Sequence, residues 1–384
     1  MKKIFLLAAL AGVALTSCVK DELSQEAKQQ SEITFAAPIV SPATKVNEVG
    51  TDYTNGSNFG VWGFYYASTY DAFANGVEYM PGNANGEITD GGLEISDADG
   101  DGCWENTQTY YWPKNGTLTF NAYAPYSENA HAGVTAEGIQ FTDYDVADAA
   151  DIDLLYSERI ADKTAESYAT EGHEGHVDVV FKHALSSIRF AVKAAAEYEG
   201  TTITLTGIKL NNVYSIADFN QGLEDAADAV TPELEIDTDG ALVKDGTAYK
   251  NFLWSGWDSQ KSYSVAEINI TDGVLTTDAL YVHNGSTTPS DNTSDLILLP
   301  QDLTNVELEI SYTITNPGGT VIEQTGIVSL YKNDGLENGQ TDRIIEAWER
   351  GKRYTYTISI GLNEIKFHPT VTPWIDITVN GGTI

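Results

Sequence analysis

Tyr110-Tyr111-Trp112-Pro113-Lys114-Asn115-Gly116-Thr117-Leu118-Thr119-Phe120-Asn121-Ala122-Tyr123-Ala124-Pro125 is rich in aromatic and β-branched residues on both sides of a turn signal. It reads strand, turn, strand. Lys114-Asn115-Gly116 is the hinge, because Asn-Gly readily supplies positive φ. Beyond the hinge Leu118, Phe120 and Ala122 point one way, with Thr117, Thr119, Asn121 and Tyr123 opposed, which is the period of two of a strand. Upstream, Phe59-Gly60-Val61-Trp62-Gly63-Phe64-Tyr65-Tyr66 has the content of a central strand, and its glycines mark close backbone approach. Asp153-Leu154-Leu155-Tyr156-Ser157 adds a short strand downstream. Strands separated by Gly-, Asn- and Asp-rich turns, with no helix between them, imply an all-β chain built as antiparallel sandwiches.

The second half repeats the signature. Val177, Val179 and Phe181 alternate, Leu185 breaks the parity, and Ile188, Phe190 and Val192 resume it, so a bulge or a change of sheet is expected near His183-Ala184. Ile203 and Leu205, then Ile208 and Leu210, repeat the pattern with a slip at Gly207. Residues 216–260 are acidic and read as loop. Leu296 to Leu299 is a strand, and Val306 to Leu330 is a hairpin about Pro317-Gly318-Gly319. Ile344 to Arg353 reads as a short charged helix or turn, and Tyr354 to Ile360 as a strand. The 384 residues divide into two tandem sandwiches, 46–176 and 177–370, with a terminal strand over 371–384.

Charge disfavours some partners. The formal net charge is -35. Without residues 1–45, which hold five lysines and four acids, 16 basic and 52 acidic residues remain, a net charge of -36. Such a surface repels phosphate backbones and anionic headgroups, so nucleic acid and electrostatic membrane binding are both disfavoured. With 42% hydrophobic residues the chain has material for real cores.

Met1-Lys2-Lys3 is a basic n-region, Ile4 to Val13 an apolar run too short to span a bilayer, and Leu15-Thr16-Ser17-Cys18 follows at once. Residues 1–17 therefore read as a cleaved signal peptide of lipoprotein type, with Cys18 as the lipidated first residue and membrane attachment through that lipid. Val19-Lys20-Asp21-Glu22 looks like a short export signal to the outer face of the outer membrane. Residues 18–32 form a polar, flexible tether. The other cysteine is Cys103; a Cys18 taken by lipid leaves it no intrachain disulfide.

Two strands bracket the body of the chain. Ile33-Thr34-Phe35-Ala36-Ala37-Pro38-Ile39 alternates, with Ile33, Phe35, Ala37 and Ile39 expected inward, and the stretch ends at Lys45. At the other end Val371, Ile375, Ile377 and Val379 share one face. The expectation is that residues 33–45 are removed by cleavage between Lys45 and Val46, and that a donor strand like 371–379, from another copy, replaces them.

Sites for chemistry are few. Asp97-Ala98-Asp99-Gly100-Asp101-Gly102, with Glu105, has the spacing that opens a calcium loop. Gln108 stands where the bidentate Glu belongs and no helices flank it, so a solvated acidic turn is the competing reading. His173-Glu174-Gly175-His176 has the wrong spacing for a zinc helix. His183 reads as a satisfied structural residue. No Ser/His/Asp order, metal set or phosphate loop stands out, so the chain is read as no enzyme. Trp254 and Trp257 serve either as core or as stacking platforms of a non-polymerising surface lipoprotein that binds glycan or host protein.

Taken in order, these pieces resemble the fimbrillin family, the lipoprotein-derived subunits of type V pili. The likeness is carried by the Cys18 lipobox, the Ile33–Lys45 strand, residues 110–125, Asp153–Ser157, Phe181-Lys182-His183-Ala184-Leu185-Ser186, Gly351-Lys352-Arg353-Tyr354-Thr355-Tyr356 and Val371-Thr372-Pro373-Trp374. The resemblance implies two transthyretin-like sandwiches, export as an outer-membrane lipoprotein, and removal of the first strand by a trypsin-like protease. It implies other pilin subunits as partners in a fimbrium, as stalk, tip or anchor, and adhesion to a host or bacterial surface ligand. The family cut follows arginine; this chain offers Lys45.

Overall fold

A computed structural model of the chain describes residues 31–41, 51–53, 58–70, 76–82, 89–98, 100, 103–106, 108–126, 132–135, 138–146, 152–169, 175–221, 235–236, 242–244, 247–248, 253–265, 273–282, 295–331 and 345–374. The described residues are almost wholly β, with one short 3-10 turn at Ala165–Tyr168.

The first sheet has nine strands. Its path runs Thr51–Asp52, Ile39–Val40, Val180–His183, Leu155–Ser157, Thr117–Ala124, Phe59–Tyr66, Val77–Met80. At its centre Phe59–Tyr66 pairs antiparallel with Thr117–Ala124, from Gly60 opposite Tyr123 to Tyr66 opposite Thr117. Both strands are buried on both faces, which explains why they read as near-continuous apolar runs. One face carries Phe59, Val61, Leu118, Phe120 and Ala122. The other carries Trp62, Phe64, Tyr66 and Tyr123. Gly60 is required by the second face: a Cβ there would lie 2.2 Å from the Tyr123 ring.

Two more large sheets follow, beside a three-stranded one (Glu235–Ile236, Leu242–Lys244, Thr247–Ala248) and a two-stranded one. In a five-stranded sheet Ser186–Ala194 runs parallel to Lys352–Ile360, and Ile365–Pro373 closes the edge antiparallel to the latter. In a six-stranded sheet Thr202–Asn220 is the spine, flanked by Glu307–Thr315, Trp254–Ser264 and Gly138–Asp145. This sheet takes strands from both halves of the sequence. Its inner face joins the second face of the first sheet in one core, where Phe141, Tyr156, Phe219 and Trp254 meet at ring distances of 5.1 to 6.0 Å.

The expected change of sheet falls where the parity broke. Val180–His183 belongs to the first sheet and Ser186–Ala194 to the second, with Ala184 and Leu185 buried at the crossing. The slip at Gly207 is a register shift against Glu307–Thr315. Glu307–Thr315 and Val321–Ser329 form the expected hairpin.

Three expectations fail. The arms around Lys114-Asn115-Gly116 do not pair with each other: Tyr111 bridges Glu32, while Thr117–Ala124 turns to Phe59–Tyr66. Gly116 does take the positive φ of a turn, +78°. Residues 216–220 and 254–260 are strand, because Ala217, Phe219 and Trp254 are buried in spite of the acidic surroundings. Within 344–353, Ala347–Trp348 is a short strand paired with Gln301–Asp302. Burial of the Trp348 indole, which donates to Tyr356 Oη at 2.9 Å, outweighs the charged neighbours.

Candidate functional site

The stretch Ser31–Ser41 lies between two segments and is bonded to both. On one side the pairing is antiparallel. Ile33 N–H donates to the Tyr110 carbonyl, Trp112 N–H to the Ser31 carbonyl, and Phe35 and Trp104 exchange both bonds. On the other side it is parallel: Val177 N–H donates to the Thr34 carbonyl, Ala36 N–H to Val177, Ile39 N–H to Val179, and Ser41 N–H to Phe181. Strand ladders on both edges are the mark of an interior strand.

The seat is aromatic. Phe35 is fully buried, with its ring edge-on to Phe59 at 5.7 Å and to Phe120 at 5.9 Å. Trp104 and Phe181 close over Phe59 at 5.7 Å each, and Tyr53 bridges those two. Ile33 and Val40 complete the buried set. Edge-to-face rings of this kind add to the burial of their area.

The inward parity is corrected by one residue. Ile33 and Phe35 are inward as expected, but Ala37 and Ile39 are exposed and Pro38 and Val40 are buried in their place. Between Ala36 and Ile39 three steps of this strand span the two steps from Val177 to Val179. Pro38 has no N–H to offer the Val179 carbonyl, so the next amide, of Ile39, reaches it at 3.2 Å. A side-chain tie also holds the strand. Thr34 Oγ1 lies 2.7 Å from His176 Nδ1.

The other predicted site residues are dispersed. Val371 is exposed and lies in Ile365–Pro373, opposite Tyr354 in the chain's own sheet. Cys18, Lys45, Val46, Ile375, Ile377 and Val379 lie outside the described residues. So do Asp99, Asp101, His173 and Glu174. Asp97 is buried and its Oδ1 has no partner, while Glu105 pairs with Ser96 through the backbone. Among the described residues no three His, Cys, Asp or Glu side chains group as metal ligands. Cys103 is buried.

His183, expected to be a satisfied structural residue, is satisfied at Nδ1 only; its Nε2 is buried with no partner among the described residues. It is buried, its Nδ1 bonds the buried Asp153 carboxylate at 3.0 and 3.1 Å, and its ring stacks on Trp374 at 3.8 Å. Trp254 is core, its indole donating to the Ala184 carbonyl at 2.8 Å; the half-buried Trp257 donates to the Pro300 carbonyl at 3.0 Å. Sequence reasoning missed Tyr53, Trp104 and Trp112 as walls of the seat. Tyr53 and Trp104 stand in turn-rich stretches without a strand period, where only the excess of large aromatics was a signal, and Trp112 was read within a strand arm but not as a wall.

Fold and site define an all-β protein of packed, mainly antiparallel sheets in which the Ser31–Ser41 strand is seated as an interior element. The chain belongs to the fimbrillin-like family, whose model matches residues 44–374. Among solved structures it is similar to a fimbrial protein from Bacteroides vulgatus, with 17% identity, coverage of 90% of this chain and 100% of that one, and a TM-score of 0.51. A candidate cell adhesion protein from Bacteroides uniformis aligns with 17% identity over 89% and 99% of the two chains, TM-score 0.42. The tip fimbrial protein Mfa3 from Porphyromonas gingivalis, truncated at its C-terminus, aligns with 9% identity over 83% and 95%, TM-score 0.33. No curated protein matches the chain.

Proposed function

We propose that this chain is a structural subunit, stalk or tip, of a type V bacterial surface pilus that serves adhesion. It is exported as an outer-membrane lipoprotein through Cys18, loses residues 33–45 by cleavage between Lys45 and Val46, and assembles by donor-strand exchange with another pilin subunit. It carries out no catalysis. Family membership and the fimbrial neighbour support the role. The observation that carries the assembly step is the seating of Ser31–Ser41, a segment near one end of the chain that makes an interior strand's bonds on both edges.

The physics follows from that seating. Removing the strand leaves the N–H groups of Trp104, Trp112 and Val177 and the carbonyls of Trp104, Tyr110, Val177, Val179 and Phe181 without their partners. It also uncovers the Phe59, Phe120 and Trp104 walls. Such an edge recruits any strand of suitable pattern, which is β-augmentation. Burying Ile33, Phe35 and Val40 alone is worth about 1.5–3 kcal/mol per side chain, so a replacement strand recovers on the order of 5–9 kcal/mol before ordering costs. The contact is heterologous and propagates as a filament.

Limited trypsin treatment of the purified chain tests the reading. Cleavage after Lys45, followed by ladders of oligomers stable to mild detergent, is the expected result. A chain that keeps residues 33–45 and stays monomeric is an anchor or a non-polymerising surface receptor instead. Lipidation is tested by intact mass: Cys18 must carry acyl groups, which is incompatible with a Cys18–Cys103 disulfide.

A further inference from the structure

The seated strand holds its place with a slip that its own sequence forces. Because Pro38 lacks an amide, the strand spends an extra residue between Ala36 and Ile39, and Ala37 is pushed out to solvent. The seat itself is regular. Val177, Val179 and Phe181 are all buried at a spacing of two, and they present evenly spaced backbone groups. A strand with apolar residues at every second position and an amide at each ladder step would fill the Ile33, Phe35 and Pro38 sites without a slip.

This chain contains such a stretch in Ile375-Asp376-Ile377-Thr378-Val379, which has no proline. We propose that Pro38 makes the resident strand the weaker occupant of its own seat, and that the seat selects its replacement by unbroken alternation. Supplied by a second copy and laid in the resident direction, Ile375 takes the Ile33 site, Ile377 the Phe35 site and Val379 the Pro38 site. In that register Asp376 replaces Thr34, whose hydroxyl lies 2.7 Å from His176 Nδ1, and gives the imidazole a carboxylate partner. Thr378 replaces Ala36, whose N–H bonds the Val177 carbonyl at 3.0 Å. The register therefore predicts which donor position needs an amide and which needs an acceptor. The inference rests on the donor-strand reading above.

The test uses the full chain cut after Lys45 and a synthetic peptide of residues 374–384. The peptide is expected to displace the cut N-terminal segment. A chain lacking Ala37 and carrying Pro38→Val has a resident strand without the slip, and its displacement is expected to be about tenfold slower, the equivalent of one or two hydrogen bonds. Equal rates for the two chains overturn the role of Pro38. A second measurement does not depend on that variant folding. Peptide with Thr378→Pro is expected to bind about tenfold more weakly. Peptide with Asp376→Ala is expected to lose about fivefold on the native chain and nothing on a His176→Ala chain. Undiminished binding of the proline peptide, or an Asp376 effect that persists without His176, overturns the register. If no peptide binds and the N-terminal segment never leaves, the donor-strand reading itself has failed, and this inference with it.

Discussion

Phe35 is the side chain that fixes the N-terminal strand, because its ring is wholly enclosed by Phe59, Phe120 and the Trp104 segment. Phe35→Ala should cost the uncut chain about 3–5 kcal/mol, read as a drop in urea midpoint at unchanged slope. An unchanged midpoint would mean that the strand is not seated in solution. Buried tyrosines set a second expectation. Burial raises the hydroxyl pKa of Tyr144 well above its ordinary value, helped by the Asp153 and then the Asp145 carboxylate. Burial does the same to Tyr356, against a smaller lowering by the Trp348 indole bond. The folded chain thus holds these protons more tightly than the unfolded one. Their contribution is intact below about pH 10, the unfolded value, and is lost as pH rises above it. Stability should fall above pH 10, and Tyr144→Phe should make that fall shallower in urea titrations at pH 8 and pH 11.

At the scale of the strand, the prediction concerns backbone bonds. In the uncut chain the amides of Trp104, Trp112 and Val177 should be protected from hydrogen exchange, since each donates to residues 31–41. Cleavage and release of the segment should expose all three, and added donor peptide should restore them. Protection that survives release would mean that the two flanking segments pair with each other. The sequence showed much of this strand. The alternation of Ile33 and Phe35, and that of Val177, Val179 and Phe181, reflects burial on one side, and period-two patterns are read directly. The shift after Ala36 was not read, although Pro38 was visible. A missing amide displaces a register only when the partner edge demands that bond, and the partner, Val179, stands 141 positions away. The Asn115-Gly116 turn misled for a similar reason. A turn signal gives local backbone geometry, whereas the partner of each arm is decided by distant edges.

For the whole molecule, the all-β class followed from composition and turn spacing, and the sharing of strands between halves did not. Gly138–Asp145 joins Thr202–Asn220 across a boundary that a linear reading draws at 176, because the second face of the first sheet is apolar and must be covered. Charge is a property at this scale too. After loss of residues 1–45 each copy carries -36, so copies repel until they are in contact. Raising ionic strength from about 0.01 to 0.1 M shortens the screening length from about 30 to 10 Å, and oligomer formation by the cut chain should speed up accordingly. A rate that falls with salt would instead point to attraction between oppositely charged patches. The central claim, that a sibling's strand takes the seat vacated by residues 31–41, is tested most directly by the N-terminus of the assembled surface form. Mass spectrometry of detergent-stable oligomers should find chains that begin at Val46, with the peptide containing Ile375 and Ile377 cross-linked to the Val177–Phe181 edge of another copy. Oligomers whose chains all retain Ile33 to Lys45, with no such cross-link, would contradict it.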